Sequence, residues 1–188
     1  MKIIIVEGPD NCGKSTLIHS IVDSYDCVKV IHCHKPDNPG EDPLSQMRDT
    51  FYQHADSIID DYKKQSLDVI VFNRYYLGEW VYGQSYRRET PREIFPLISS
   101  LERYLLNGVS HEDIYYIQLM SSSVELLRKN DDGLSLSKAE QGMIQKEISL
   151  FEEAFSFSIL KKKVIFINDG DNYRARQDIL TEVQSFLS

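Results

Sequence analysis

Residues 8–15 have the types and spacing of a loop that binds phosphate groups. Their letters, GPDNCGKS, match G-x-x-x-x-G-K-[ST] at every required position, directly after an apolar run and before a predicted helix. In that context, successive backbone N–H groups and a helix N-terminus point at bound phosphates. Lys14 would reach the β- and γ-phosphates of a nucleoside triphosphate, and the Ser15 hydroxyl would ligate Mg²⁺. The residues expected to hold the nucleotide are Gly8, Pro9, Asp10, Asn11, Cys12, Gly13, Lys14, Ser15 and Thr16.

The elements that would position this loop alternate between strands and helices. Short apolar runs predict strands buried on both faces at 2–6, 28–33, 68–72, 113–119 and 163–167. Between them, helical periodicity is found at about 15–25, 44–62, 90–108, 143–155 and 179–187. The alternation predicts an α/β fold in which one five-stranded parallel sheet is covered by helices on both faces. Because no linker or repeat interrupts the pattern, residues 1–188 are interpreted as one domain.

Two segments carry more specific local signals. Thr90-Pro91-Arg92-Glu93 has the pattern of a capping box with proline at the first helical position, and Asn107-Gly108 is typical of a helix end. Pro96 predicts either a kink in that helix or a later start. Around 131–137 the chain turns polar between two helices, which predicts a lid at about 128–140.

Composition narrows the classes of function. The net charge of -8 and the pI near 5.1 disfavour extended nucleic-acid partners without excluding them, since a local cluster can still bind a small phosphorylated ligand. The sequence shows no signal peptide or membrane span, so we expect a cytoplasmic protein without a membrane partner. Cys12, Cys27 and Cys33 are not expected to form a disulfide. His32 and His34 are interpreted as structural residues, although His34 could reach the pocket.

The segment from Val6 to Thr16, VEGPDNCGKST, resembles the opening of thymidylate kinases and related nucleoside and nucleotide kinases, which carry E-G-x-D-x-x-G-K-[ST]-T. The resemblance implies that Asp10 contacts a hydroxyl group of the acceptor sugar. Asn73-Arg74-Tyr75, at the carboxyl end of the third predicted strand, resembles the D-R-[YFW] motif of the same family. It implies that Arg74 binds the acceptor phosphate and that Asn73, where the family usually has Asp, takes part in holding Mg²⁺.

Further residues are assigned through the same resemblance. Tyr82 and Arg87 lie at spacings that imply an acceptor pocket, and Glu79 either supplies the carboxylate missing at position 73 or faces solvent on a helix. Trp80 could stack on a base but is interpreted as core, as aromatic residues usually are. Arg128, before the lid, either reaches the transferring phosphoryl group or ends a solvated helix. The residues expected to act directly in the transfer are Lys14, Arg74, Asp10 and Arg128.

These assignments imply a P-loop kinase that uses ATP and Mg²⁺ and has a small nucleotide or nucleoside as its partner. The leading expectation is phosphoryl transfer to a deoxynucleoside monophosphate, with dTMP first. The alternatives are a nucleoside kinase, or a viral deoxynucleotide kinase-like enzyme that phosphorylates hydroxymethylated bases in DNA. A nucleotide-binding regulatory protein that has lost its chemistry at Asn73 is the non-enzymatic alternative, and a homodimer is also expected to be possible.

Overall fold

A single parallel sheet forms the centre of the fold. The computed structural model describes residues 1–33, 42–131 and 133–188. The sheet contains β1 (Lys2–Glu7), β2 (Val28–His32), β3 (Val69–Asn73), β4 (Ile114–Met120) and β5 (Lys161–Phe166), in the order β2-β3-β1-β4-β5. The five strands coincide with the five predicted apolar runs to within a few residues. His34, expected to be near the pocket, lies outside the described residues.

Helices follow the strands along the chain. They are α1 (Lys14–Val22), α2 (Pro43–Lys64), α3 (Leu77–Tyr82), α4 (Pro91–Gly108), α5 (Val124–Lys129), α6 (Gln141–Phe157) and α7 (Arg176–Leu187). Shorter elements complete the described part: a π-helical turn (Gly83–Arg87), a 3-10 turn (His111–Asp113) and a hairpin of β6 (Asn168–Asp169) and β7 (Asn172–Tyr173).

The inner strands of the sheet are buried on both faces, as their apolar residues require. Every residue of β4 is buried, and in β1 all residues after Lys2 are buried, so both faces of these strands are covered. The helices form two groups: α1 packs on α7, whereas α2, α3, α4 and α6 pack on one another. The α/β fold predicted from the sequence, with one parallel sheet between layers of helices, is confirmed.

Helix α4 begins where the capping box places it. The Thr90 backbone N–H donates to the Glu93 carboxylate at 2.7 Å, and Pro91 is the first helical residue. Pro96 lies inside the helix, so the alternative of a later start is wrong. The helix ends at Gly108, where an added Cβ would lie 2.6 Å from Ile59 Cγ1 of α2. The glycine therefore lets the two helices approach closely.

Two other expectations concern the chain as a whole. All three cysteines are free, as predicted. None of the helices within the described ranges is both long enough and apolar enough to cross a membrane.

Candidate active site

The phosphate loop connects β1 to α1 and depends on two glycines with positive φ angles. Gly8 has φ +140°, and a Cβ there would clash with the Leu119 carbonyl oxygen of the neighbouring strand. Gly13 has φ +80° and immediately precedes α1. L-residues with a side chain rarely adopt these angles, so both glycines are required by the backbone path. The loop therefore has the conformation that its motif predicts.

Lys14 is folded back onto the loop. Its ammonium group donates to the carbonyl oxygens of Gly8, at 3.0 Å, and Pro9, at 2.5 Å. Burial and the nearby Arg74 guanidinium lower the pKa of Lys14. Beside it lies a cavity of about 380 Å³, the phosphate cavity, lined by Asp10, Asn11, Gly13, Lys14, Ser15, Thr16, Asn73, Arg74 and Asn130. The phosphate-binding residues predicted at the start of α1 thus face one shared space.

Arg74 meets the phosphate loop because β1 and β3 are neighbours in the sheet. Val6 is paired with Asn73, and the Arg74 backbone N–H donates to the Val6 carbonyl oxygen at 3.0 Å. The residue has φ +66°, which turns its side chain out of the strand direction. Its guanidinium donates to the Gly8 carbonyl oxygen at 3.2 Å and to the Tyr82 hydroxyl, and forms an ion pair with Asp10. The structure therefore brings together four predicted site residues: Gly8, Asp10, Arg74 and Tyr82.

A second cavity, the acceptor cavity, lies on the other side of Arg74. Its volume is about 360 Å³, and it is lined by Asp10, Cys33, Met47, Arg74, Tyr75, Gly78, Glu79, Tyr82, Arg87, Leu134 and Leu136. Tyr82 and Arg87, which the resemblance placed at an acceptor pocket, both line it, and so does Glu79. Tyr76 instead lies in the core, where its hydroxyl donates to Glu102. Trp80 is also core, with its ring 4.8 Å from the Phe157 ring, as interpreted from the sequence.

Glu79 is buried, so the interpretation that it faces solvent is wrong. It is 5% exposed, and Arg87 forms ion pairs with both Glu79 and Glu89. Burial raises the pKa of Glu79 to about 7, although the Arg87 guanidinium opposes this effect. Glu79 lines the acceptor cavity and not the phosphate cavity, so its role as the carboxylate missing at position 73 stays a prediction.

Gly83 makes room for this cluster of charges. It begins the π-helical turn, and a Cβ there would overlap the Glu89 carboxylate and lie 2.9 Å from Ile94 Cδ1. The backbone reverses direction at Arg88, which has φ +62°. The Glu89 backbone N–H then donates to the Gly83 carbonyl oxygen. Glycine at this position therefore allows a second carboxylate to reach Arg87.

Glu7 is a buried carboxylate that sequence reasoning did not include among the site residues. Its Oε1 accepts the backbone N–H groups of Tyr75, at 2.7 Å, and Gly78, at 3.1 Å, on the turn that follows Arg74. Its Oε2 is buried without a hydrogen-bond partner among residues 1–33, 42–131 and 133–188. Burial raises the pKa of Glu7 to about 7, and the charge of Arg74 acts in the opposite direction. The sequence signal that could have identified Glu7 is its position, since it is an acidic residue at the end of an apolar strand and directly before the phosphate loop.

A third cavity, of about 330 Å³, lies on the far side of the phosphate loop. Its lining is mainly apolar and consists of Asn11, Cys12, Gly13, Thr16, Leu17, Ser20, Leu119, Asn130, Ile167, Tyr173, Arg174, Arg176 and Ile179. The Asn130 side-chain amide donates to the Tyr173 hydroxyl at 2.7 Å, and both residues line this cavity. Ile167 directly follows β5, the last strand of the sheet. The hairpin residues Tyr173 and Arg174 were not identified from the sequence.

The segment between α5 and α6 contacts the phosphate loop directly. The Asn11 side-chain amide donates to Asp131 at 3.3 Å, and the Leu136 backbone N–H donates to the Asp10 carboxylate at 3.4 Å. Arg128 lies at the exposed end of α5, where it pairs with Glu125 at 2.9 Å, and it does not line the phosphate cavity. A role for Arg128 in the transfer therefore stays a prediction.

The donor atoms at the phosphate cavity fit a nucleotide-bound Mg²⁺. Ser15 and Asn73 both line this cavity and offer a hydroxyl and an amide oxygen. No group of three or more His, Cys, Asp or Glu side chains that could hold a metal exists in the described part of the chain. Mg²⁺ is usually held by one or two protein ligands together with substrate phosphates, so this sparse set is sufficient. Asn73 also contacts His32, and this contact was not expected.

Comparisons with known proteins agree with this geometry. No known family model matches the sequence. Thymidylate kinase of Blochmanniella floridana is 21% identical, over 89% of this chain and 87% of that protein. Among solved structures, the YorR protein of Bacillus subtilis in complex with phosphorylated GDP has a TM-score of 0.63 at 17% identity, covering 99% of this chain and 95% of its own. Thymidylate kinase from Ehrlichia chaffeensis has a TM-score of 0.59 at 15% identity, covering 100% and 98%.

The five-stranded parallel sheet, with the phosphate loop after its first strand, is a fold that this chain shares with a solved thymidylate kinase. The chain is similar in sequence to one thymidylate kinase and in fold to another, in agreement with the resemblance carried by its first residues.

Proposed function

We propose that this protein transfers the γ-phosphoryl group of ATP to a deoxynucleoside monophosphate, with dTMP as the preferred acceptor. The observation that carries the proposal is the position of Arg74. Its guanidinium lines both the phosphate cavity and the acceptor cavity and lies 3.2 Å from the Gly8 carbonyl oxygen of the loop. A planar fork of N–H donors at this boundary suits the phosphate of an acceptor that must meet the γ-phosphate of the donor. The similarity to thymidylate kinases supports dTMP.

The transfer is a displacement at phosphorus. An oxygen of the acceptor phosphate forms a bond to the γ-phosphorus while the bond to the β–γ bridging oxygen breaks, which yields ADP and a deoxynucleoside diphosphate. The attacking group is already an oxyanion, so positioning and charge neutralisation supply most of the rate. Lys14 would leave the loop carbonyls to contact the β- and γ-phosphates, and the loop N–H groups would hold the donor.

Other residues would orient the two substrates. Asp10, at the edge of the acceptor cavity, would accept a hydrogen bond from a sugar hydroxyl. Ser15 and Asn73 would hold Mg²⁺, which when bound neutralises charge on the phosphates. We propose the segment at about 128–140 as the lid, and the contacts of Asp131 with Asn11 and of Leu136 with Asp10 support this role.

A second candidate is transfer to a hydroxyl group of a nucleoside. Two observations favour it. Both guanidinium groups that line the acceptor cavity are already paired with carboxylates, which lowers the attraction for an acceptor phosphate. The Glu79 carboxyl, with its pKa raised to about 7 by burial, also has the basicity of a general base near neutral pH.

Labelled ATP separates the candidates. The purified protein would be incubated with [γ-³²P]ATP and, in separate reactions, dTMP, the other deoxynucleoside monophosphates, deoxynucleosides, and DNA that contains hydroxymethylated bases. We expect label in dTDP, and Lys14→Ala serves as the inactive control. Label in nucleosides alone would establish the second candidate. Label in DNA alone would contradict both candidates. Tight ATP binding without any transfer, in the wild type and equally in Asn73→Asp, would also contradict both.

A homodimer and a cytoplasmic location stay predictions.

A further inference from the structure

Asn73 occupies the position at which related kinases usually carry an aspartate, and its side chain contacts a histidine. The Asn73 Nδ2 lies 3.2 Å from His32 Nδ1. The two residues are paired in register on the neighbouring parallel strands β3 and β2, each at its carboxyl end. The backbone supports the same arrangement, since the Cys33 N–H donates to the Asn73 carbonyl oxygen at 3.4 Å. The contact therefore follows from the sheet register.

An asparagine differs from an aspartate in that its two terminal atoms are not equivalent. A carboxylate offers an oxygen in either orientation, whereas an amide offers one oxygen and one NH₂ group, which cannot bind a cation. Asn73 lines the phosphate cavity together with Lys14 and Ser15. Whether it can serve Mg²⁺ there depends on which of its two atoms faces the cavity.

We infer that His32 is a positioning residue that holds the Asn73 amide with its oxygen toward the nucleotide-bound metal. This inference rests on the proposed use of Mg²⁺ at this site. Because Asn73 Nδ2 donates to His32 Nδ1, the amide nitrogen is engaged on the β2 side of the residue. The Oδ1 atom, on the other branch of the amide, is then the atom available to the cavity. A neighbouring residue that fixes the orientation of a metal-binding side chain typically changes the affinity for the metal, although it does not contact the metal itself.

The ring nitrogen that accepts must itself carry no proton. His32 therefore acts through the tautomer protonated at Nε2, with Nδ1 as the acceptor. Asparagine at position 32 would place its own side-chain oxygen close to where Nδ1 lies, so His32→Asn would retain the acceptor. Leucine has a similar volume and no acceptor, so His32→Leu would release the amide to rotate.

The test measures metal affinity directly, with Mn²⁺ as the probe and electron paramagnetic resonance as the readout on the enzyme saturated with ATP. We expect His32→Leu to weaken Mn²⁺ binding about 5-fold, the effect of losing one hydrogen bond. His32→Asn should weaken it less than about 2-fold. The affinity for ATP without metal should not change in either variant. His111→Leu, a histidine at the amino end of β4, is the matched control and should match the wild type.

The decisive comparison repeats the His32→Leu change in an Asn73→Asp background. A carboxylate needs no orientation, so the 5-fold effect should fall below about 2-fold there. An equal effect in both backgrounds would mean that His32 only supports the sheet, and no effect in the wild-type background would also overturn the inference. Because the readout is metal binding, these outcomes are informative even if no acceptor is ever phosphorylated.

Discussion

Glu7 makes the stability of this protein depend on pH, and Glu7→Gln should remove part of that dependence. The Glu7 carboxyl is fully buried, with its pKa raised from 4.5 to about 7. The folded protein therefore keeps a proton that the unfolded chain has already released between these two pH values. The contribution of Glu7 to stability is therefore most favourable below about pH 4.5, falls as the pH rises through this window, and reaches its lower limit above about pH 7.

The size of the effect follows from the two pKa values. One pH unit of difference corresponds to about 1.4 kcal/mol, so the charged carboxylate costs about 3 kcal/mol of folding free energy at pH 8. Glutamine retains an oxygen that accepts from Tyr75 and Gly78, but it places an NH₂ group where Oε2 has no partner among the described residues. That loss is of order 1–3 kcal/mol and is independent of pH.

The informative quantity is therefore the change in the free energy of unfolding between two pH values, and not the free energy of unfolding at a single pH. Urea unfolding of the wild type and of Glu7→Gln would be measured at pH 5, 6, 7 and 8. Between pH 5 and 8 the wild type should lose about 2–3 kcal/mol more than the variant. Glu125→Gln, at an exposed position on α5, is the matched control and should keep the wild-type slope. Parallel slopes for wild type and Glu7→Gln would refute the reasoning.

Three further predictions concern the phosphate loop, Arg74 and Gly83. Lys14→Ala should lower kcat at least about 100-fold while circular dichroism and the unfolding temperature show an intact fold, and near-wild-type turnover would contradict its role. Arg74→Lys should raise the KM for dTMP at least about 10-fold and that for ATP much less, because an ammonium group cannot form two parallel hydrogen bonds; an equal rise in both constants would argue against acceptor binding. Gly83→Ala should cost about 1–3 kcal/mol in urea unfolding, since its Cβ displaces Glu89. Gly142→Ala on α6, where a Cβ meets nothing within 4 Å, should be neutral or slightly stabilising, and equal effects of the two changes would reject the steric explanation.

The sheet and the phosphate loop could be predicted because their signals are local. Each inner strand is a mainly apolar run, and the loop motif spans consecutive residues between a strand and a helix. The encounter of Arg74 with Asp10 was also accessible, since the carboxyl ends of parallel strands meet at one edge of the sheet. These features need no knowledge of side-chain packing.

The remaining features of the site depend on how segments that are distant in the sequence pack against one another. Glu79 looked like a possible surface residue because the local sequence does not show that Arg87 pairs with it, nor that the π-helical turn brings Glu89 to the same arginine. The contact between His32 and Asn73 depends on the register of β2 against β3, which single-strand patterns do not contain. The hairpin that carries Tyr173 has strands of two residues, too short for a periodic signal.

The two contacts of Asp10 have a consequence for how substrates assemble on the protein. Its carboxylate pairs with Arg74 and also accepts the backbone N–H of Leu136 in the segment between α5 and α6. A phosphate that engaged Arg74, as we propose, would compete with this carboxylate and leave it free to bind the segment more tightly. Occupancy of the acceptor cavity and attachment of the segment would then be thermodynamically linked, and the linkage would be reciprocal: each would change the equilibrium constant of the other by the same factor. One carboxylate would thus make the affinity for the acceptor phosphate depend on whether the segment is attached to the phosphate loop.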